Sequence, residues 1–219
     1  MRLFLSYSFS LIFITQCIAQ KNDNQYSIDK DEYIKIKQIL IKRDTTIDNN
    51  KLIEFTRYQT LNDLVNPIIL DSLSGSIYKL NQDKNYLKAI EQTKKLLELC
   101  PNNLTAHKEI ALAYRKSGNE DLSKEHFNMM VKIIHSIMNL SDGSYEKPFI
   151  INNRFEGFSI YEAAYRCRPK NQVLMLDKTQ RLLGAFKGYS SAYDEIFIKY
   201  ADLTHMKKLL TEDDYIIEK

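Results

Sequence analysis

The sequence predicts a mainly α chain of helical hairpins followed by a small α+β C-terminal module. Three observations carry this. Glycine and proline are scarce, 6 and 4 in 219 residues, while Leu, Ile, Lys and Glu are frequent, which favours helices. Apolar residues recur at helical spacing from residue 31 to about 138. At "SDGSYEKPFIINN" (141–153) the pattern changes, because Asp142-Gly143 is a turn signal and Pro148 opens a β-rich run.

In order along the chain, "MRLFLSYSFSLIFITQCIAQ" has one positive charge at Arg2, an apolar run from Leu3 to Ile14, and small residues at Cys17 and Ala19. This reads as a secretory signal (1–19) with cleavage after Ala19, and so as a periplasmic or extracellular protein. Two other readings compete. The run is too short for an anchor helix, and Gln16 fits poorly before an acylated Cys17 of a lipoprotein. The segment 21–30 is polar. "DEYIKIKQILIKR" (31–43) is an amphipathic helix with acids at its start and bases at its end. Residues 51–61 form a short helix with Leu52, Phe55 and Tyr58 on one face. Pro67 closes the next loop, and helices are expected over 69–81, 85–99, 104–116 and 120–138. The helical region thus covers 20–140 and the module 141–219.

The stretch "CPNNLTAHKEIALAYRKSGNEDLSKEHF" (100–127) is the joint between two hairpins. Pro101 cannot donate a helical hydrogen bond and ends one helix. Ala111 is small where helices cross, and Tyr114 fills the space beside it. Gly118 stops the helix in the left-handed conformation that only glycine adopts cheaply. Shifted by 34 residues, Ala89 falls on Ser123, Thr93 on Phe127 and Leu96 on Met130. This 34-residue helix–turn–helix period resembles the tetratricopeptide repeat, over 84–134. His107 departs from it, standing where the repeat has an aromatic. So does "SGSIYKL" (74–80), where a small-residue crossing is expected.

In the module, strands are expected at 148–152, 172–180 and 195–203, with Val173 and Met175 apolar in the second, a helix at 157–167 and a short helix at 204–210. The ordered set of an N-terminal helical region, "CPNN" with "ALAYRKSGNEDLSK", and "SDGSYEKPFII" resembles a family of secreted bacterial proteins. That family is known only as domain of unknown function forty-nine-nineteen. The resemblance implies export and this fold, and no catalytic residues.

The chemistry is sparse. The net charge of +3 is spread along the chain with no basic block, so no nucleic-acid partner is expected. No segment of the mature chain reaches the ~20 apolar residues of a membrane span. The four histidines, 107, 126, 135 and 205, show no zinc spacing and no HExxH; His126 and His135 read as histidines on a helix face. "GFSIY" (157–161) lacks the second glycine of a hydrolase elbow. No cofactor, metal site or catalytic residue is predicted. After export, Cys100 and Cys167 either bridge or stay as separate buried thiols; the latter is favoured, since nothing in the sequence brings them together. The first helix of each tetratricopeptide pair lines a concave groove. On 104–116 this leaves Lys108, Leu112, Arg115 and Lys116 toward it, the first three at i, i+4, i+7. Two cations flanking a leucine suit an acidic or C-terminal peptide. Two functions are weighed: a peptide- or protein-binding or assembly module, and an envelope hydrolase with its site in the C-terminal module.

Overall fold

A helix needs a cap for its first N–H groups, and this chain supplies them with Asx residues. The computed structural model describes residues 28–190 and 195–218. In it Asp29, Asp48, Asn66, Asn103 and Asn119 accept from the first turns of five helices. These are α1 (Lys30–Ile41), α2 (Asn49–Leu61), α3 (Pro67–Gln82), α5 (Leu104–Lys116) and α6 (Glu120–Leu140); α4 is Tyr86–Leu99. The signal reading of 1–19 lies outside the described residues. Among them no helix is long and apolar enough to cross a membrane.

The protein is mostly helical with a small C-terminal sheet of five strands. The helix ends follow the expected chemistry at Gly118, where φ is +79°. Asn119 N–H there reaches back to Tyr114 O at 2.9 Å. Elsewhere Arg43, Asp63 and Lys84 take the left-handed turn without being glycine.

Consecutive helices from α3 to α6 pack on one another, and α3 also meets α5. The α5–α6 crossing is close: Ser123 Oγ donates to Ala111 O at 2.8 Å, and both residues are buried. The N-terminal helices do not extend this row at its near end. Instead α2 lies against α6, and α1 against α2. Two apolar clusters result. One, with Leu70, Ile77, Leu96 and Ala106, sits inside α3–α5. The larger joins α1, α2 and α6 to Phe149, Ile160, Leu174 and Phe186, so it runs across the change in character at residue 141.

The module contains β1 (Phe149–Ile150), α7 (Arg154–Ala164), β2 (Pro169–Leu176), β3 (Leu182–Ser190), β4 (Glu195–Asp202) and β5 (Ile216–Ile217). A 3-10 helix, Thr204–Leu209, stands where a short helix was expected. The sheet order is β1-β4-β3-β2-β5, antiparallel in its three central strands and parallel at both edges. Central β3 was not anticipated. The expected 172–180 strand is shifted, because Asp177 Oδ1 collects the N–H groups of Thr179 and Arg181 at 2.8 Å and turns the chain. Leu174 and Leu176 face the core, and Val173 is exposed.

Helix α7 fixes the module to the helices. It packs on α3 and α5 with one side and on β3 with another. Against α3 the approach is close, since a Cβ on Gly75 would lie 3.0 Å from the Phe155 ring. The stretch "SGSIYKL", a poor helix crossing in sequence, is therefore where α7 lands. Against β3, a Cβ on Gly157 would lie 2.2 Å from the buried Phe186 ring. Gly157→Ala should gain about 1 kcal/mol in helix propensity and lose on the order of 1–3 kcal/mol to overpacking. A net loss of about 1–2 kcal/mol in a urea melt is expected; a gain in stability would show that α7 can slide from β3.

Candidate functional site

A cleft of about 790 Å³ opens between α3, α5, α6 and α7. Its floor is a closed group of charges. The Lys108 ammonium meets Glu109 Oε1 at 2.8 Å and Glu162 Oε2, and lies 5.4 Å from the centre of the Tyr78 ring. Tyr78 donates its hydroxyl to Glu162 Oε1 at 3.0 Å, and Arg168 Nε reaches the same oxygen at 3.0 Å. Burial opposes the charge on Lys108, yet Glu109 and Glu162 outweigh it and hold its pKa above the usual lysine value. Burial likewise works against ionised Glu162, but Lys108, Tyr78 and Arg168 draw its pKa down. Lys108 and Glu162 are thus both held in their charged forms near neutral pH.

The wall is apolar: Leu112 is half-buried, Met130 and Ala163 lie beside it, and Phe127 leaves 52% of its surface exposed. The rim carries both signs, with Arg115 and Lys124 near Glu120 and Asp121. Such a mixture of apolar wall and few fixed polar groups, at this volume, suits a ligand site.

The predicted groove residues divide here. Lys108, Leu112 and Arg115 line the cleft together, as their spacing implied. Lys116 is exposed and is not among the lining side chains. Lys108 is not a free cation awaiting a partner: α7 covers this face of α3 and α5, and Glu162 from α7 pairs with it across 54 residues. Tyr78, Asn81, Phe127, Glu162 and Arg168 were not identified from sequence. One signal existed for Phe127: a large aromatic stands where its repeat counterpart is Thr93, and Thr93 is buried while Phe127 is exposed.

A second cleft of about 670 Å³ lies on the other side of α5, lined by Lys37, Arg43, Lys94 and Tyr114. Beneath it His107 Nδ1 meets His126 Nδ1 at 3.0 Å, and His107 Nε2 meets Pro101 O at 2.9 Å. A carbonyl accepts only, so Nε2 of His107 carries the proton. His107 Nδ1 is then the acceptor, and His126 Nδ1 the donor. The Tyr114 ring stacks on His126, with centroids 5.8 Å apart. Burial above all pushes both imidazoles well below the usual histidine value.

Behind α5 and α7 lies a sealed polar network. Glu156 is 1% exposed; its carboxylate accepts from the N–H of Leu104 at 2.7 Å and of Asn152 at 2.6 Å. Gln59 Nε2 donates to Asn102 Oδ1 at 2.8 Å and to Asn152 Oδ1. Asn102 and Asn152 thus tie two turns to α2, while Asn103 Nδ2 donates to Asn153 Oδ1 between the turns at 3.5 Å. Burial raises the Glu156 carboxyl to about 7, against the hydrogen bonds that oppose this. Both cysteines among the described residues are free: Cys100 is buried and donates to Asn102 Oδ1 at 3.2 Å, and Cys167 is half-buried beside β3. Among the described residues, no group of three or more His, Cys, Asp or Glu is placed to hold a metal.

The chain matches no protein-family model, no curated protein and no solved structure. The functional reading therefore rests on the clefts themselves.

Proposed function

We propose that this is an exported, tetratricopeptide-like binding module that holds a peptide or protein partner in the α3/α5/α6/α7 cleft. The observation that carries the reading is the exposed Phe127 beside Leu112, above a floor of locked ion pairs. An exposed aromatic over a fixed polar floor gives apolar contact area and orientation to a ligand at little ordering cost. The 34-residue period, the close Ala111–Ser123 crossing and the glycine stop at 118 support the tetratricopeptide reading. The N-terminal signal pattern supports export.

The hydrolase alternative has less behind it. The strongly shifted carboxyl of the C-terminal module is Glu156, a pattern often found in general acids. It is sealed from solvent and bonded to backbone N–H groups, so it serves the fold rather than a substrate.

A photocrosslinking residue at position 127 tests the reading in the native cell envelope. It should capture a defined partner by mass spectrometry, and the same residue at Leu87, 78% exposed on α4 and outside the cleft, should not. Equal capture from both positions would move the binding surface away from the cleft.

A further inference from the structure

The second cleft, of about 670 Å³, has a definite electrical sign. Three cations border it, Lys37, Arg43 and Lys94, against one acid, Glu98. Arg43 is already paired, with Glu125 at 2.9 Å. Among the described residues the lysines held in ion pairs are Lys51, Lys95, Lys108 and Lys208. Lys37 and Lys94 therefore border the cleft without a carboxylate in contact. The two imidazoles beneath add no charge near neutral pH, because burial keeps both of them neutral. The lining is thus positive, and cations around apolar walls concentrate an anion.

The apolar part follows one arrangement on two helices. Lys37 and Ile41 stand one turn apart on α1, and Lys94 and Leu97 one turn apart on α4. Each helix so brings a cation and a neighbouring aliphatic side chain to the same cleft. Ile41 leaves 49% of its surface exposed, and Leu97 and Leu122 are half-buried, so all three have apolar area to give. Backbone amides of a peptide would find little to bond here. His107 is spent on His126 and on Pro101 O, and the walls between the charges are aliphatic.

We infer that the second cleft binds a long-chain monocarboxylate, with its carboxylate met by Lys37 and Lys94 and its alkyl chain laid on Ile41, Leu97 and Leu122. A carboxylate accepts charge-assisted hydrogen bonds from ammonium groups, and an alkyl chain asks only for apolar area. The site shares no lining residue with the α3/α5/α6/α7 cleft and stands independently of the peptide proposal.

The test titrates the full chain by calorimetry at neutral pH with octanoate, decanoate and dodecanoate, and with decanol and an acidic, leucine-bearing peptide for comparison. The carboxylates should bind saturably and gain up to about fourfold in affinity per added methylene. Decanol should bind roughly tenfold more weakly than decanoate. Lys37→Gln with Lys94→Gln should weaken decanoate roughly tenfold or more, leave decanol unchanged and leave the melting temperature near that of wild type. Phe127→Glu, in the other cleft, should not alter decanoate binding. No saturable binding of any carboxylate overturns the proposal, as does decanoate affinity that ignores the two lysines or is matched by decanol. Loss of decanoate binding with Phe127→Glu would place the amphiphile in the other cleft and overturn it as well. An acidic peptide that binds more tightly than decanoate, with the same dependence on the lysines, overturns the alkyl carboxylate as occupant and makes the cleft a peptide surface.

Discussion

Glu156→Leu should cost on the order of 3–5 kcal/mol in a urea melt. Leucine nearly matches the volume, so the loss comes from hydrogen bonds rather than a cavity. It strips the acceptor from the buried N–H groups of Leu104 and Asn152 and from the Asn152 side-chain amide. Each buried donor left unmet costs about 1–3 kcal/mol, and part of the sum returns because a carboxyl no longer has to be buried. Glu156→Gln keeps an acceptor oxygen, and with the carboxyl pushed up to about 7 much of the native population is already neutral at that pH. That variant should lose no more than about 1 kcal/mol. Equal losses from the two substitutions would mean that the network does not depend on these acceptors.

The second large effect is on pH. His107 and His126 have depressed folded values, so between about pH 6.5 and 4.5 the unfolded chain binds their protons and the folded chain does not. Their pairing is fully compatible with the fold above about 6.5, and stability is lost as pH falls below it. Arg43, Lys37 and Lys94 around the second cleft add repulsion toward any protonated imidazole. Glu156 acts in the opposite sense. Its folded value is raised, so its contribution is fully present below the usual carboxyl value and is lost as pH rises through about 7. Asp71 is raised and His205 lowered, both by burial first, so these two act in opposite senses. Two imidazoles against one carboxyl leave a net difference of one proton, or about 1.4 kcal/mol per pH unit. A loss of about 2–3 kcal/mol is therefore expected between pH 6.5 and 4.5. Thermal melts at the two pH values measure it. His107→Gln should halve the histidine contribution and flatten the fall, and Glu156→Gln should steepen it. A wild-type Tm that does not drop on acidification would show that the two imidazoles are not held neutral together.

The candidate site was partly legible. Lys108, Leu112 and Arg115 share a face because helical spacing alone puts them there, and the cleft uses all three. The other wall was not legible. Glu162 and Arg168 come from α7 and the residues after it, and Asn81 from the end of α3, each far from α5 in the chain. The meeting of His107 with His126 was hidden for a related reason. Their separation of 19 residues fits no single helix face, and only the antiparallel return of α6 over α5 brings them within 3.0 Å.

Local chemistry was sufficient for most of the helices. Asx residues followed by apolar periodicity, Pro67 at a helix start, Pro101 after a helix end and Gly118 in the left-handed turn act within a few residues. The sequence by itself therefore determined α1 to α6 to within a few residues. It did not determine β3, whose Gly184 and Gly188 look like breakers in isolation. A Cβ on Gly184 would lie 2.9 Å from Leu203, and one on Gly188 would lie 2.5 Å from the Tyr161 ring; these glycines are small because long-range neighbours occupy the space. Nor did it determine that α7 would fill the face expected to be a groove. That choice is tertiary: Gly75 and Gly157 let α7 approach α3 and β3 at once, and Glu162 meets Lys108 as a second carboxylate beside Glu109. Hydrogen bonds along one helix are set by neighbours in sequence, whereas the partner of a buried charge or a missing side chain is set by packing between separate elements of the chain.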